Sequence, residues 1–111
     1  GNKMTALKKT PTPEIHEKVK LPVGVTINGK CYKDIELHPV TIGASYESQI
    51  GARETDLLAI IDLSAMIYVP KLDRKLTYDE VHSMSRQDGF KIDHHRVLLE
   101  KKEREQATAS A

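Results

Sequence analysis

The side chains best suited to chemistry sit in the last third of the chain, in Asp93-His94-His95 and, a little upstream, in His82-Ser83-Met84-Ser85. His and Asp are metal ligands, and a serine beside a histidine is the start of a nucleophile–base pair. The spacing argues against both uses. Neighbouring residues on a helix point about 100° apart and do not converge on one ion. His82 is the one further histidine that an antiparallel helix hairpin could bring near the pair. Ser83 and Ser85 read as helical neighbours of His82, not as parts of a triad. A phosphoesterase use of Asp93-His94-His95 needs further acidic motifs on an α/β sheet, and the chain has none. There is no glycine-rich phosphate loop, no Gly-x-Ser-x-Gly elbow and no paired-cysteine zinc pattern. Cys31 is the single cysteine, so no disulfide forms within the chain, and it reads as a half-buried strand residue. The expectation is a protein that is not an enzyme, with no catalytic residue, no metal and no cofactor.

Composition narrows the class further. With 111 residues there is room for one domain. The apolar share is 39% and the aromatic share 5%, with one Phe and no Trp, so the core must be aliphatic and small. Such a domain often gains stability from a partner or from self-association. The net charge is +1 with 30% charged residues, which gives no single-sign field for nucleic acid. The helices flanking Asp88-Gly89 have the length of a helix-turn-helix. However, residues 90–99 offer only Lys91 and Arg96 to a phosphate backbone, next to Asp93. No apolar run reaches the roughly 20 residues of a membrane span, and no secretory segment is visible. A cytoplasmic protein without a membrane or nucleic-acid partner is expected.

The elements divide at Pro39. Residues 1–17 read as a flexible leader with Lys3, Lys8, Lys9, Pro11 and Pro13. Residues 18–38 read as a β-hairpin. Val19, Leu21, Val23, Val25 and Ile27 alternate along one strand face, Asn28-Gly29 supplies the turn, and Ile35 and Leu37 face inward from the return strand. After Pro39 only helices are expected: a short one over Thr41–Gly51, a central one over Thr55–Val69 closed by Pro70, one opened by the capping box Thr77-Tyr78-Asp79-Glu80 and stopped at Asp88-Gly89, and one from Phe90 to about Gln106. In the last, Phe90, Val97 and Leu98 form the expected inward stripe, with Ile92 and Leu99 near its edges. The fold class is α+β: an N-terminal β-hairpin packed on three or four α-helices. The domain spans residues 18–100, and residues 101–111 form a charged helical extension with a frayed tail.

Two stretches carry more apolar residues than a small domain needs. Ile42, Tyr46 and Ile50 lie four apart on one stripe, and Leu57, Leu58, Ile60, Ile61, Met66 and Ile67 cover most of the central helix. These nine residues are the candidate partner-binding positions, as a surface that could cover an apolar helix of another protein.

The order of parts resembles the tail assembly chaperones of Mu-like and related contractile-tailed phages. The resemblance rests on Leu21-Pro22-Val23-Gly24-Val25, the polar turn Asn28-Gly29-Lys30, and the strand close Ile35-Glu36-Leu37-His38-Pro39. The step Leu76-Thr77-Tyr78-Asp79-Glu80-Val81 and the later Asp88 complete it, over about residues 17–100. Lys91 to His95 depart from it, being more polar than the resemblance leads one to expect. It implies a non-enzymatic helper in the bacterial cytoplasm that binds the tape-measure protein, assists polymerisation of the tail-tube protein, and is not retained in the virion. A structural tail or baseplate component is the alternative from the same setting, and a small DNA-binding regulator the alternative from another class.

Overall fold

The computed structural model describes residues 14–110. Strands β1 (Glu17–Ile27) and β2 (Lys30–Leu37) form the expected antiparallel hairpin. Asn28 and Gly29 take φ of 51° and 79°, the left-handed pair that a type I′ turn requires. Strands β3 (Ile67–Val69) and β4 (Arg74–Lys75) extend the sheet in the order β1-β2-β3-β4. Four helices complete the α+β fold: α1 (Ile42–Glu47), α2 (Leu58–Met66), α3 (Tyr78–His82) and α4 (Arg86–Ser110). Residues 1–13 of the expected leader lie outside the described residues. Ile15 already packs on the core and Glu17 already belongs to β1.

The expectation of helix alone after Pro39 is corrected by β3 and β4. The central helix begins at Leu58, without a side-chain cap, rather than at Thr55, and it ends at Met66. Ile67, Tyr68 and Val69 leave it because β2 offers them an open edge: Leu37 pairs with Ile67 and Glu36 with Tyr68. Two β-branched residues flanking a tyrosine suit that pleated position, and the non-local pairing outweighs local helix periodicity. Both Ile67 and Val69 are fully buried there. The capping box of α3 forms as expected, with Glu80 N donating to Thr77 Oγ1 at 3.2 Å and Thr77 N to Glu80 Oε1 at 2.9 Å.

The last helix differs most from its expected form. It does not start after a stop at Asp88-Gly89 but runs through Gly89, opened by Ser85, whose hydroxyl accepts from Gln87 N at 3.1 Å. Asp88 therefore sits in its first turn, fully buried. The reason lies in β1. Lys20 pairs with Asp34 and Val25 with Tyr32, so four residues, Leu21 to Gly24, stand opposite Lys33 alone. This wide bulge turns two amides out of the strand ladder. Val23 N donates to Asp88 Oδ1 at 2.8 Å and Gly24 N to Asp88 Oδ2 at 2.9 Å. The partial positive charge of the helix start supports the same carboxylate from behind. Gly24 has φ of +101°, and a Cβ there would lie 2.6 Å from Cys31 Sγ and 3.0 Å from the Tyr32 carbonyl. Only glycine fits.

The clasp fixes how α4 is rotated. With Asp88 inward, Ile92, His95 and Leu99 follow at helical spacing, and Ile92 and Leu99 are buried. Phe90 and Val97, expected inward, are 61% and 63% exposed. The core is a single cluster: Val19, Leu21, Val25, Ile35 and Leu37 from the hairpin, Met66, Ile67, Val69, Leu76 and Val81 from the middle, and Ile92 and Leu99 from α4. Val23 and Cys31 are exposed, because the bulge breaks the alternation that would have placed Val23 inside and left Cys31 half-buried. The helix continues to Ser110, past the expected fraying at Ala107.

Replacing Asp88 by Ala leaves two part-buried amide donors without their acceptor, and a loss of about 3 kcal/mol in urea unfolding is expected. Gly24→Ala should destabilise comparably through strain and overlap. A shift below about 0.5 kcal/mol for both, the usual size for a surface substitution, would show the clasp to be incidental.

Candidate functional site

Of the apolar residues singled out in the sequence, five lie on the surface between Pro39 and the first turn of α2. Ile42 is 76% exposed, Tyr46 68%, Ile50 81%, Leu57 57% and Leu58 62%. Helix α1 buries none of its residues. Its sequence makes it a helix nonetheless. Thr41 Oγ1 accepts from Ala44 N at 3.0 Å to cap it, and the following turns close by local bonds from Ser48 N to the Ala44 carbonyl and Gln49 N to the Tyr46 carbonyl. Ile42 and Tyr46, four apart, share a face. Burying such side chains releases about 1.5–3 kcal/mol each, so leaving five in water is a standing drive toward a partner.

Polar links hold this segment to the body. Ser45 Oγ donates to Asp62 Oδ1 on α2 at 3.0 Å. Leu57 N donates to the Tyr78 hydroxyl at 2.9 Å. Arg53 pairs with Asp56 and, at 2.7 Å, with Asp79, and its guanidinium lies 5.2 Å from the centre of the Tyr78 ring. The Arg53 hydrogen bond holds the Asp79 carboxyl below its ordinary range. A segment docked through hydrogen bonds keeps its apolar side chains free to face outward.

The other expected partner-binding residues belong elsewhere. Ile61, Met66 and Ile67 are buried in the domain's own core, and Ile60 is half-buried against it. They follow the first turn of α2 inward, toward α3 and the sheet, and are corrected from surface to core. Phe90 and Val97, seven apart on the outer side of α4, form a smaller exposed apolar pair that the expected inward stripe had hidden. Arg86 covers Phe90 at 5.2 Å.

Several titratable side chains tie elements of the fold together. His95 Nδ1 meets Glu17 Oε1 at 2.7 Å, and Lys102 pairs with the second oxygen of Glu17. Burial pushes the Glu17 carboxyl up, but hydrogen bonds from Lys102 and His95 outweigh it and leave it below its ordinary value. Asp93 pairs with Arg96 at 3.6 Å, His82 stacks on Tyr78, and the exposed His94 meets the His95 ring edge to face at 5.4 Å. Ser83 Oγ donates to the Glu80 carbonyl and Ser85 caps α4. At the start of the sheet, His16 stacks on His38 at 5.4 Å, and His38 Nε2 contacts Glu36 Oε1 at 2.9 Å. Among the described residues no group of three or more His, Cys, Asp or Glu side chains is arranged to hold a metal ion. No helix among them is long and apolar enough to cross a membrane.

Asp88 and Glu17 are the two residues whose importance the sequence reading missed. Pro22 and Gly24 inside an alternating strand were the available signal for a bulge that needs an external acceptor. No family model, no curated protein and no solved structure matches this chain.

Two outcomes are expected. Ile61→Ala should lower stability by about 2–4 kcal/mol, whereas Ile50→Ser should change it by less than about 0.5 kcal/mol. Equal losses in urea unfolding would show that the α1 segment is core. The second concerns acid. Arg74, bonded to both Glu80 oxygens at 2.9 Å, holds Glu80 down from 4.5 to about 2 against the opposing effect of burial, with help from Thr77 N. A depressed carboxylate stabilises the fold above its unfolded value and loses that contribution as pH falls through the folded one. Stability should therefore decline between pH 4.5 and about 2, and Glu80→Gln should flatten that decline. An unchanged slope in the variant would rule out the Arg74–Glu80 pair as its source.

Proposed function

We propose that this chain is a tail assembly chaperone of the Mu-like and related contractile-tailed phage kind. It binds apolar helical segments of the tape-measure protein in the bacterial cytoplasm, keeps them soluble, and assists the tail-tube protein to polymerise around them. It leaves before the virion is complete. The observation that carries this reading is the exposure of Ile42, Tyr46, Ile50, Leu57 and Leu58 on a segment whose helix α1 buries none of its residues. A holding protein needs such a surface: apolar side chains presented outward by a scaffold whose own stability does not depend on them. The sequence resemblance supplies the identity of the partner. Among the residues that carry the resemblance, Val23, Gly24 and Asp88 meet in the clasp of Asp88 on the Val23 and Gly24 amides.

Association through this surface rests on apolar burial, so it should persist in moderate salt, unlike binding to nucleic acid. Co-expression tests it. The tape-measure protein should be soluble with the wild-type chain and aggregate with a chain carrying Ile42→Ser, Ile50→Ser and Leu57→Ser. If its solubility is indifferent to the chain, and the chain is found in purified tails, a structural tail component is the correct reading.

A further inference from the structure

The tip of the hairpin and the turn between β3 and β4 form a cleft unrelated to the apolar segment. Lys20, Lys30 and Lys33 from the hairpin and Lys71 from the turn line it, together with Cys31, Tyr32 and Asp34. All four lysines are exposed. Asp34 is the only anion among these lining residues. Lys20 Nζ approaches it at 2.9 Å, and the hydrogen bond from Lys20, with a smaller contribution from Lys71, holds its carboxyl below the ordinary range. One carboxylate against four ammonium groups leaves three positive charges uncompensated.

This concentration runs against the charge of the surrounding domain. Lys3, Lys8 and Lys9 are three of the 17 cations, so residues 14–111 hold 14 cations against 16 anions. A cationic cleft on a mildly anionic body is a directed field. Lys30 also lies 5.4 Å from the centre of the Tyr32 ring, which offers an apolar wall beside the charges.

We propose that this cleft docks an acidic segment of a polypeptide, one carrying several Asp or Glu side chains in extended or loop conformation. Charge complementarity selects the class. The lysines are flexible point charges that can each meet a separate carboxylate, and the cleft has no arginine fork for planar, bidentate phosphate contacts. Asp34 in their midst repels a nucleic-acid backbone, which carries a charge at every step. A peptide can place an uncharged residue opposite it.

The test uses the full chain and a fluorescent peptide of alternating Glu and Gly, titrated by anisotropy at low and high salt. The wild type should bind, and raising the salt across a Debye length comparable to the cleft should weaken binding by about tenfold. Changing Lys20, Lys30, Lys33 and Lys71 together to Gln should cost about tenfold or more, since four exposed pairs each contribute only a fraction of that. The other cations, Lys3, Lys8 and Lys9 among them, remain in that variant, so binding that survives would belong outside the cleft and would overturn the proposal. Asp34→Asn should tighten binding, because it removes the competing anion. An unfolding midpoint like that of the wild type checks that each variant is folded. Stronger binding of a single-stranded oligonucleotide of equal charge would also overturn the proposal, in favour of a nucleic-acid site.

Discussion

One carboxylate and two backbone amides set the geometry on which the rest of the domain depends. The bulge in β1 frees the Val23 and Gly24 amides from the strand ladder, and an amide partly shielded from water destabilises a fold when it lacks an acceptor. Asp88 supplies the acceptor from the first turn of α4. In doing so it fixes two things together: where α4 begins and which of its faces meets the sheet. Ile92 and Leu99 are core, and Phe90 and Val97 surface, as a consequence. Further along, Glu17 with His95 and Lys102 repeats the arrangement in weaker form, a carboxylate of the first strand fastened to the same helix.

A helix fastened by polar contacts at two points lets a small aliphatic core suffice. That core draws on the hairpin, the end of α2, β3, Leu76, α3 and α4, and of the chain between Pro39 and Leu58 only Val40 packs against it. The segment is structured by its own Thr41 cap and by Arg53, Ser45 and Tyr78, none of which requires its apolar side chains to be buried. The division of labour is physical. Interior packing supplies stability, and a separately supported segment displays Ile42, Tyr46, Ile50, Leu57 and Leu58 to solvent. Display of this kind is what the proposed chaperone role requires.

Local determinants were legible in the sequence. Asn28-Gly29 specified its turn, Thr77 and Glu80 their capping box, and Thr41 its helix, because each acts over a few residues. The strand at Ile67–Val69 was not legible, since its pairing partner in β2 lies far away along the chain and the local period favoured a continued helix. The orientation of α4 was misread for a related reason: hydrophobicity alone placed Phe90 and Val97 inward, whereas a charged residue, Asp88, fixes the rotation. For the candidate surface, the residue types were readable but their exposure was not. Leu58 and Ile61 are alike in chemistry and one helical turn apart, and only the position of α3 and the sheet decides that one is wet and the other dry.

Amide hydrogen exchange across the whole chain tests this division most directly, because it reads the stability of each segment separately. The Val23 and Gly24 amides, although they sit in a bulge without a strand partner, should exchange with the slowest class alongside Ile35 and Leu37. The amides of α1 should exchange at least about a hundredfold faster, through local opening that leaves the core intact. Fast exchange at Val23 and Gly24, or protection of α1 equal to that of the sheet, would contradict this division.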